Sequence, residues 1–102
     1  MLLAFSIAPQ TSDSADGSVT DAVAAAVKIV RESGLPHETN AMFTTLEGEW
    51  DEIMAVIKQC VDEVKKFSPR VGLVMKADIR PGFSGEMSAK VARINNLIGD
   101  DD

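Results

Sequence analysis

The stretch Asn40-Ala41-Met42-Phe43-Thr44-Thr45-Leu46-Glu47-Gly48-Glu49-Trp50 decides how the chain is read, because there a half-polar strand stops at a glycine and passes into the longest helical pattern. From Met42 to Glu47 the β-branched and aromatic content suits a strand. Two threonines and a glutamate interrupt its apolar positions in a way that a strand serving only a core does not require. Polar groups on one strand face can be offered to a ligand. Gly48 is free to take positive φ and end the strand. Trp50, Ile53, Met54, Ile57, Val61, Val64 and Phe67 then recur at helical spacing, which predicts a helix over Trp50 to Phe67 with that stripe buried.

Working outward, His37 to Ala41 reads as a short strand separated from the next by a tight bend or bulge around Asn40 to Met42. Before it, Val19, Val23, Ala26, Val27 and Val30 mark a helix over Val19 to Ser33. Ser18 is a weak capping signal three residues before Asp21. Gly34 and Pro36 provide a C-terminal cap and a stop. Gln10 to Gly17 is a polar loop, expected to form a lip over a site. At the start of the chain Leu3, Phe5 and Ile7 share one parity and Leu2, Ala4, Ser6 and Ala8 the other, so a first strand presents large side chains to one face. Val71, Leu73, Met75, Ala77 and Ile79 alternate with Arg70, Gly72, Val74, Lys76, Asp78 and Arg80, the clearest period of two in the chain. A turn over Pro81 to Gly85 leads to a closing amphipathic helix carrying Met87, Val91, Ile94 and Ile98, and Asp100 to Asp102 form an acidic tail.

With 102 residues, 45% of them hydrophobic and 25% charged, the composition is that of one globular domain, expected over residues 1–99 with 100–102 as the tail. A net charge of -6 argues against nucleic acid as a partner and suits a cationic small molecule better. Cys60 has no cysteine to pair with and falls in the second helical pattern as a core thiol; with His37 the only histidine, no metal-ligand cluster and no metal cofactor is expected. Leu2 to Ala8 is too short for a membrane span or a leader, so no membrane partner and a cytoplasmic location are expected.

The order β-α-β-β-α-β plus a terminal helix predicts an α+β, ferredoxin-like βαββαβ two-layer sandwich with an extra C-terminal helix. Two helices cover one sheet face. The other has no helix of its own, and because Ala4, Val74 and Phe43 lie on it, a second subunit is expected to cover it, giving a homo-oligomer, dimer or tetramer.

Met42-Phe43-Thr44-Thr45-Leu46-Glu47-Gly48-Glu49 followed by Glu52-Ile53, with Arg70-Val71 leading to Lys76-Ala77-Asp78-Ile79-Arg80, resembles the small thiamine-binding, YkoF-like family. The resemblance covers almost the whole chain and rests on the T-x-x-E-G segment and the order of elements. It implies a ferredoxin-like domain that assembles through its sheet and binds thiamine or its hydroxymethylpyrimidine moiety near the oligomer interface. Ser6, Asn40, Thr44, Thr45, Glu47 and Asp78 are then the polar groups of the site, and Phe43 either closes the pocket or stacks on the pyrimidine.

A plainer reading stands beside this one. The threonines are strand formers, Glu47 balances the dipole of the second helix, Asp78 pairs with Lys76 or Arg80, and the protein is a structural or regulatory oligomer without a small-molecule ligand. Catalysis has little support: Glu47 with Asp78 is the sole acid/base pair, no nucleophile stands beside a base, and no phosphate loop is present. The chain is therefore expected not to be an enzyme and to have no catalytic residues.

Overall fold

The computed structural model describes residues 1–10 and 19–99. Its elements follow the order β1 (Leu2–Pro9), α1 (Thr20–Glu32), β2 (His37–Thr39), β3 (Thr44–Glu47), α2 (Trp50–Val64), β4 (Val71–Asp78) and α3 (Glu86–Ile98). The strands form one antiparallel sheet in the order β2-β3-β1-β4. This is the ferredoxin-like α+β arrangement with α3 appended.

The parity of β1 sets the two faces. Leu3, Phe5 and Ile7 are buried under α1 and α2, while Leu2, Ala4, Ser6 and Ala8 point the other way and are only half-buried. Register carries the division across the sheet. Leu3 faces Leu46 and Phe5 faces Thr44 on the core side, whereas Leu2 faces Glu47 and Ala4 faces Thr45 on the open side. On β4 the open-side row is Gly72, Val74, Lys76 and Asp78.

Helix α1 contributes Ala22, Ala26 and Val30, and α2 contributes Ile53, Val56, Ile57, Cys60 and Val64. Small side chains on α1 let the helices approach closely, so that the Cys60 thiol donates to the Ala26 carbonyl at 3.5 Å. Burial pushes the thiol pKa up to about 11. Each large aliphatic side chain enclosed here contributes about 1.5–3 kcal/mol before conformational entropy is subtracted.

Several expectations shift. Helix α2 ends at Val64, and the two aromatics at the ends of the expected stripe are exposed, Trp50 by 55% and Phe67 by 44%. Val56 and Cys60 complete the track Ile53-Val56-Ile57-Cys60-Val64, which keeps to one side of the helix better than a stripe running out to Trp50 and Phe67. Gly48 does not take positive φ. A Cβ there would meet the Leu35 and Glu52 side chains at 3.4 Å, an ordinary contact distance, so the turn does not demand glycine on either ground.

Strand β2 stops at Thr39 and β3 starts at Thr44, because Asn40 closes the bend between them. The Asn40 Oδ1 accepts from the Met42 and Phe43 N–H groups at 2.8 and 2.9 Å, and the Asn40 N–H donates to the Phe43 carbonyl at 2.9 Å. At the end of α1, Gly34 has φ of +82°, as its place after the helix predicts. Ser33 accepts from the Leu35 N–H at 3.2 Å while donating to the Val30 carbonyl at 2.6 Å. The expected Ser18 cap, most of the Gln10 to Gly17 loop and the acidic tail lie outside the described residues, and the N-cap position of α1 is Val19.

Helix α3 differs most from its expected packing. Val91, Ile94 and Ile98 are 55, 57 and 70% exposed. The helix is fastened to the sheet at its first turn instead, over the open face.

Candidate ligand site on the open face

Glu47, at the end of β3, makes that fastening. Its Oε2 accepts from the Glu86 N–H at 2.8 Å and its Oε1 from the Met87 N–H at 3.2 Å, so one carboxylate caps the first turn of α3. Gly85, at the N-cap position, has no side chain to do this, and its φ of +67° aims the chain into the helix. Glu47 is buried by the contact. The plainer sequence reading thus has the right chemistry and the wrong helix: α2 is closed by its own capping box, with the Glu52 carboxylate accepting from the Glu49 N–H at 3.0 Å.

Asp78 joins the same corner, since both it and Glu47 stand opposite Leu2 on the open face. Its ion pair is with Lys90 of α3, not with Lys76 or Arg80 as a strand-local reading expects. The hydrogen bond from Lys90 holds the Asp78 carboxyl below its ordinary pKa. Arg93 donates to Glu86 at 2.6 Å, and that bond likewise lowers the Glu86 carboxyl. Two carboxylates of the sheet and one of α3 are therefore matched by helix N–H groups, a lysine and an arginine.

The other end of the open face is different. Ser6 stands opposite Val74, and Ala4 between Thr45 and Lys76. Continuing the β1–β3 register by one pair places Phe43 opposite Ser6. Ser6 is four residues from Leu2 along β1, about 13 Å from the Glu47 row. The Ser6 and Thr45 hydroxyls make no side-chain hydrogen bond among the described residues. Phe43 is half-buried and Val74 is 61% exposed. An apolar floor with two uncommitted hydroxyls can hold a flat heteroaromatic ring, the ring stacking on Phe43 and its nitrogens meeting the hydroxyls.

The seven residues singled out from sequence thus fall into three groups. Ser6, Phe43 and Thr45 share the uncovered part of the open face. Glu47 and Asp78 share its α3-covered corner. Asn40 is used by its turn, and Thr44 faces the core, its hydroxyl 3.1 Å from that of Thr39.

Sequence reasoning missed Lys90, Glu86 and the α3 N–H groups, because nothing local ties them to β3. It also missed a cleft of about 160 Å³ past the sheet end, lined by Trp50, Ile79, Arg80 and Phe83 among others. There the Arg80 guanidinium sits 3.6 Å from the centre of the Phe83 ring. The exposed aromatics around the Pro81-Gly82 turn are the signal that marks it. A larger groove of about 470 Å³ runs along α1, lined by Val19, Val23, Val27 and Arg31 among others. Its lining among the described residues comes from Val19 and α1, away from the open face. Among the described residues, no group of three or more histidine, cysteine or acidic side chains is placed to hold a metal ion, and no helix is long and apolar enough to cross a membrane.

Comparison with known proteins brings these observations together. The model of a family described as Thiamine-binding protein matches residues 3–95. A UPF0045 protein of Mycobacterium bovis is 41% identical over 99 residues, covering 96% of this chain and 94% of that protein. A solved structure of a hypothetical protein from Methanocaldococcus jannaschii superposes with a TM-score of 0.81 at 32% identity, covering 94% of this chain and 96% of that one. A candidate thiamine biosynthesis/salvage protein from Thermotoga maritima has the same fold, with a TM-score of 0.73 at 24% identity and coverage of 90% and 97%.

Proposed function

Because the chain belongs to the thiamine-binding protein family, we propose that it is a non-catalytic cytoplasmic binding protein for thiamine or its hydroxymethylpyrimidine moiety, held on the open sheet face near the interface of a homo-oligomer. The observation that carries this reading is the pair of uncommitted hydroxyls, Ser6 and Thr45, beside Phe43 on an apolar floor. The aminopyrimidine ring stacks on Phe43, and Ser6 and Thr45 exchange hydrogen bonds with its nitrogens. Glu47, two residues or about 7 Å along β3 from Thr45, acts mainly by fixing α3 as a wall. Its remaining lone pairs and its charge favour an amine or a thiazolium cation. Asn40 holds the turn that presents Phe43, and Thr44 anchors β3 from behind.

The test is calorimetric titration with thiamine and with hydroxymethylpyrimidine. Wild type should bind, and Thr45→Ala and Ser6→Ala should each weaken binding by about 0.5–1.5 kcal/mol, the net worth of one hydrogen bond. No heat from wild type with either compound, and no small molecule retained in native mass spectrometry, would remove the reading. A structural or regulatory oligomer without a ligand is then favoured by a specific observation: Asn40, Thr44, Glu47 and Asp78 already have partners within the chain.

A further inference from the structure

The sheet register lines up four side chains across the open face. Glu38 of β2 stands opposite Thr45, Thr45 opposite Ala4, and Ala4 opposite Lys76. At strand spacing the row runs about 14 Å from the Glu38 Cα to the Lys76 Cα, with about 10 Å between Thr45 and Lys76. Ala4 ends at its Cβ, so the row is shallowest between Thr45 and Lys76. Glu38 and Lys76 are exposed, and neither enters an ion pair among the described residues.

Lys76 is the one basic side chain at the open-face positions of the described strands. Asp78, two residues along β4, is bonded by Lys90 of α3, and Lys76 is the weakest of the charges that act on it. The Glu47 carboxylate is bonded by the Glu86 and Met87 N–H groups. Helix α3 thus answers both acids that would otherwise hold Lys76 or repel an anion beside it. The ammonium is left to meet a negative charge from outside the chain.

We propose that Lys76 receives the phosphate of a phosphorylated ligand, so that the open face takes thiamine monophosphate, or the phosphate ester of the pyrimidine alcohol, in preference to the unphosphorylated compound. The inference rests on the reading of the site given above and assigns the part of the ligand which that reading leaves open. With the ring held by Phe43, Ser6 and Thr45, the row leads from Thr45 across Ala4 to Lys76. There the ammonium, on its flexible stem, meets the ester oxygens as a charge-assisted donor. Glu38, at the opposite end, suits the ligand's amine or cationic ring. A compound with one positive and one negative group is matched at both ends, whereas thiamine itself leaves Lys76 unanswered.

Calorimetric titration with thiamine, thiamine monophosphate and inorganic phosphate tests this. The wild type should bind the monophosphate about tenfold more tightly than thiamine, the scale of one charge-assisted hydrogen bond. Added salt should narrow that difference. Lys76→Gln should erase the preference, and Lys76→Arg should retain most of it. Lys58→Gln, which removes an equal charge from the exposed side of α2, should leave the preference as it is. Equal wild-type affinity for thiamine and its monophosphate, or a preference that survives in Lys76→Gln, would overturn the inference while leaving thiamine binding intact. Inorganic phosphate binding as tightly as the monophosphate would also overturn it, since the anion would then be held without the ring. Binding of none of the three would remove the underlying site and this inference together.

Discussion

The two faces of the sheet are built from the same strands, residue by residue in alternation, and obey different rules. On the helical face Leu3, Phe5, Leu46 and their partners from α1 and α2 are buried, and their contacts are apolar. On the open face the fixed contacts are electrostatic and confined to one corner, where Glu47 and Asp78 hold α3. The helical face specifies the fold through volume and exclusion of water. The open face leaves Ser6, Thr45, Phe43 and Val74 outside the helix-packed core, so substitutions there can be made without disturbing it.

The division can be broken by substitutions on either side. The largest effect belongs to the core: Ile57→Ala should lower unfolding free energy by about 2–5 kcal/mol in a urea titration. A loss under about 0.5 kcal/mol would put Ile57 on the surface.

Next comes alkali. The Cys60 thiol ionises more readily once unfolding exposes it, so its raised native pKa supports the fold below about pH 9. That contribution disappears as pH climbs toward 11. Stability should fall by roughly 2–3 kcal/mol over that window, and Cys60→Ala should flatten the slope. An equal slope in both proteins would show that Cys60 is not the titrating group.

The open-face corner should respond less. Glu47→Gln keeps size but turns an amide toward the α3 N–H groups, costing about 1–3 kcal/mol. Amide exchange should quicken in α3 while the amides of α2 keep their protection. Uniform quickening across both helices would mean that the corner is integral to the core.

What was legible in the sequence follows the same division. Alternation in β1 and β4 and the Gly34 helix end are local patterns repeated over several residues, and they place the sheet, the first helix and the buried parity. Thr45, Ser6 and Phe43 share a face for the same reason. The partners of Glu47 and Asp78 were not legible because they belong to contacts between distant parts of the chain: the carboxylate of Glu47 has no local mark distinguishing the nearby start of α2 from the start of α3. Nor does helical spacing say where a stripe ends, so it predicts burial for Trp50 and Phe67, which are exposed.

The cap that Glu47 places on α3 also imposes an order of events. Thirty-nine residues separate Glu47 from Glu86, and α3 is a 13-residue helix with no side-chain cap at Gly85, a length that is marginal in water on its own. Nucleation of α3 must therefore wait until β3 has paired and turned Glu47 toward the open face. In refolding kinetics, a substitution that loosens the fastening of α3, such as Lys90→Ala, should change the unfolding rate and leave the folding rate nearly untouched. Substitutions in β3 should slow collapse of the sheet and, with it, the appearance of the last helix.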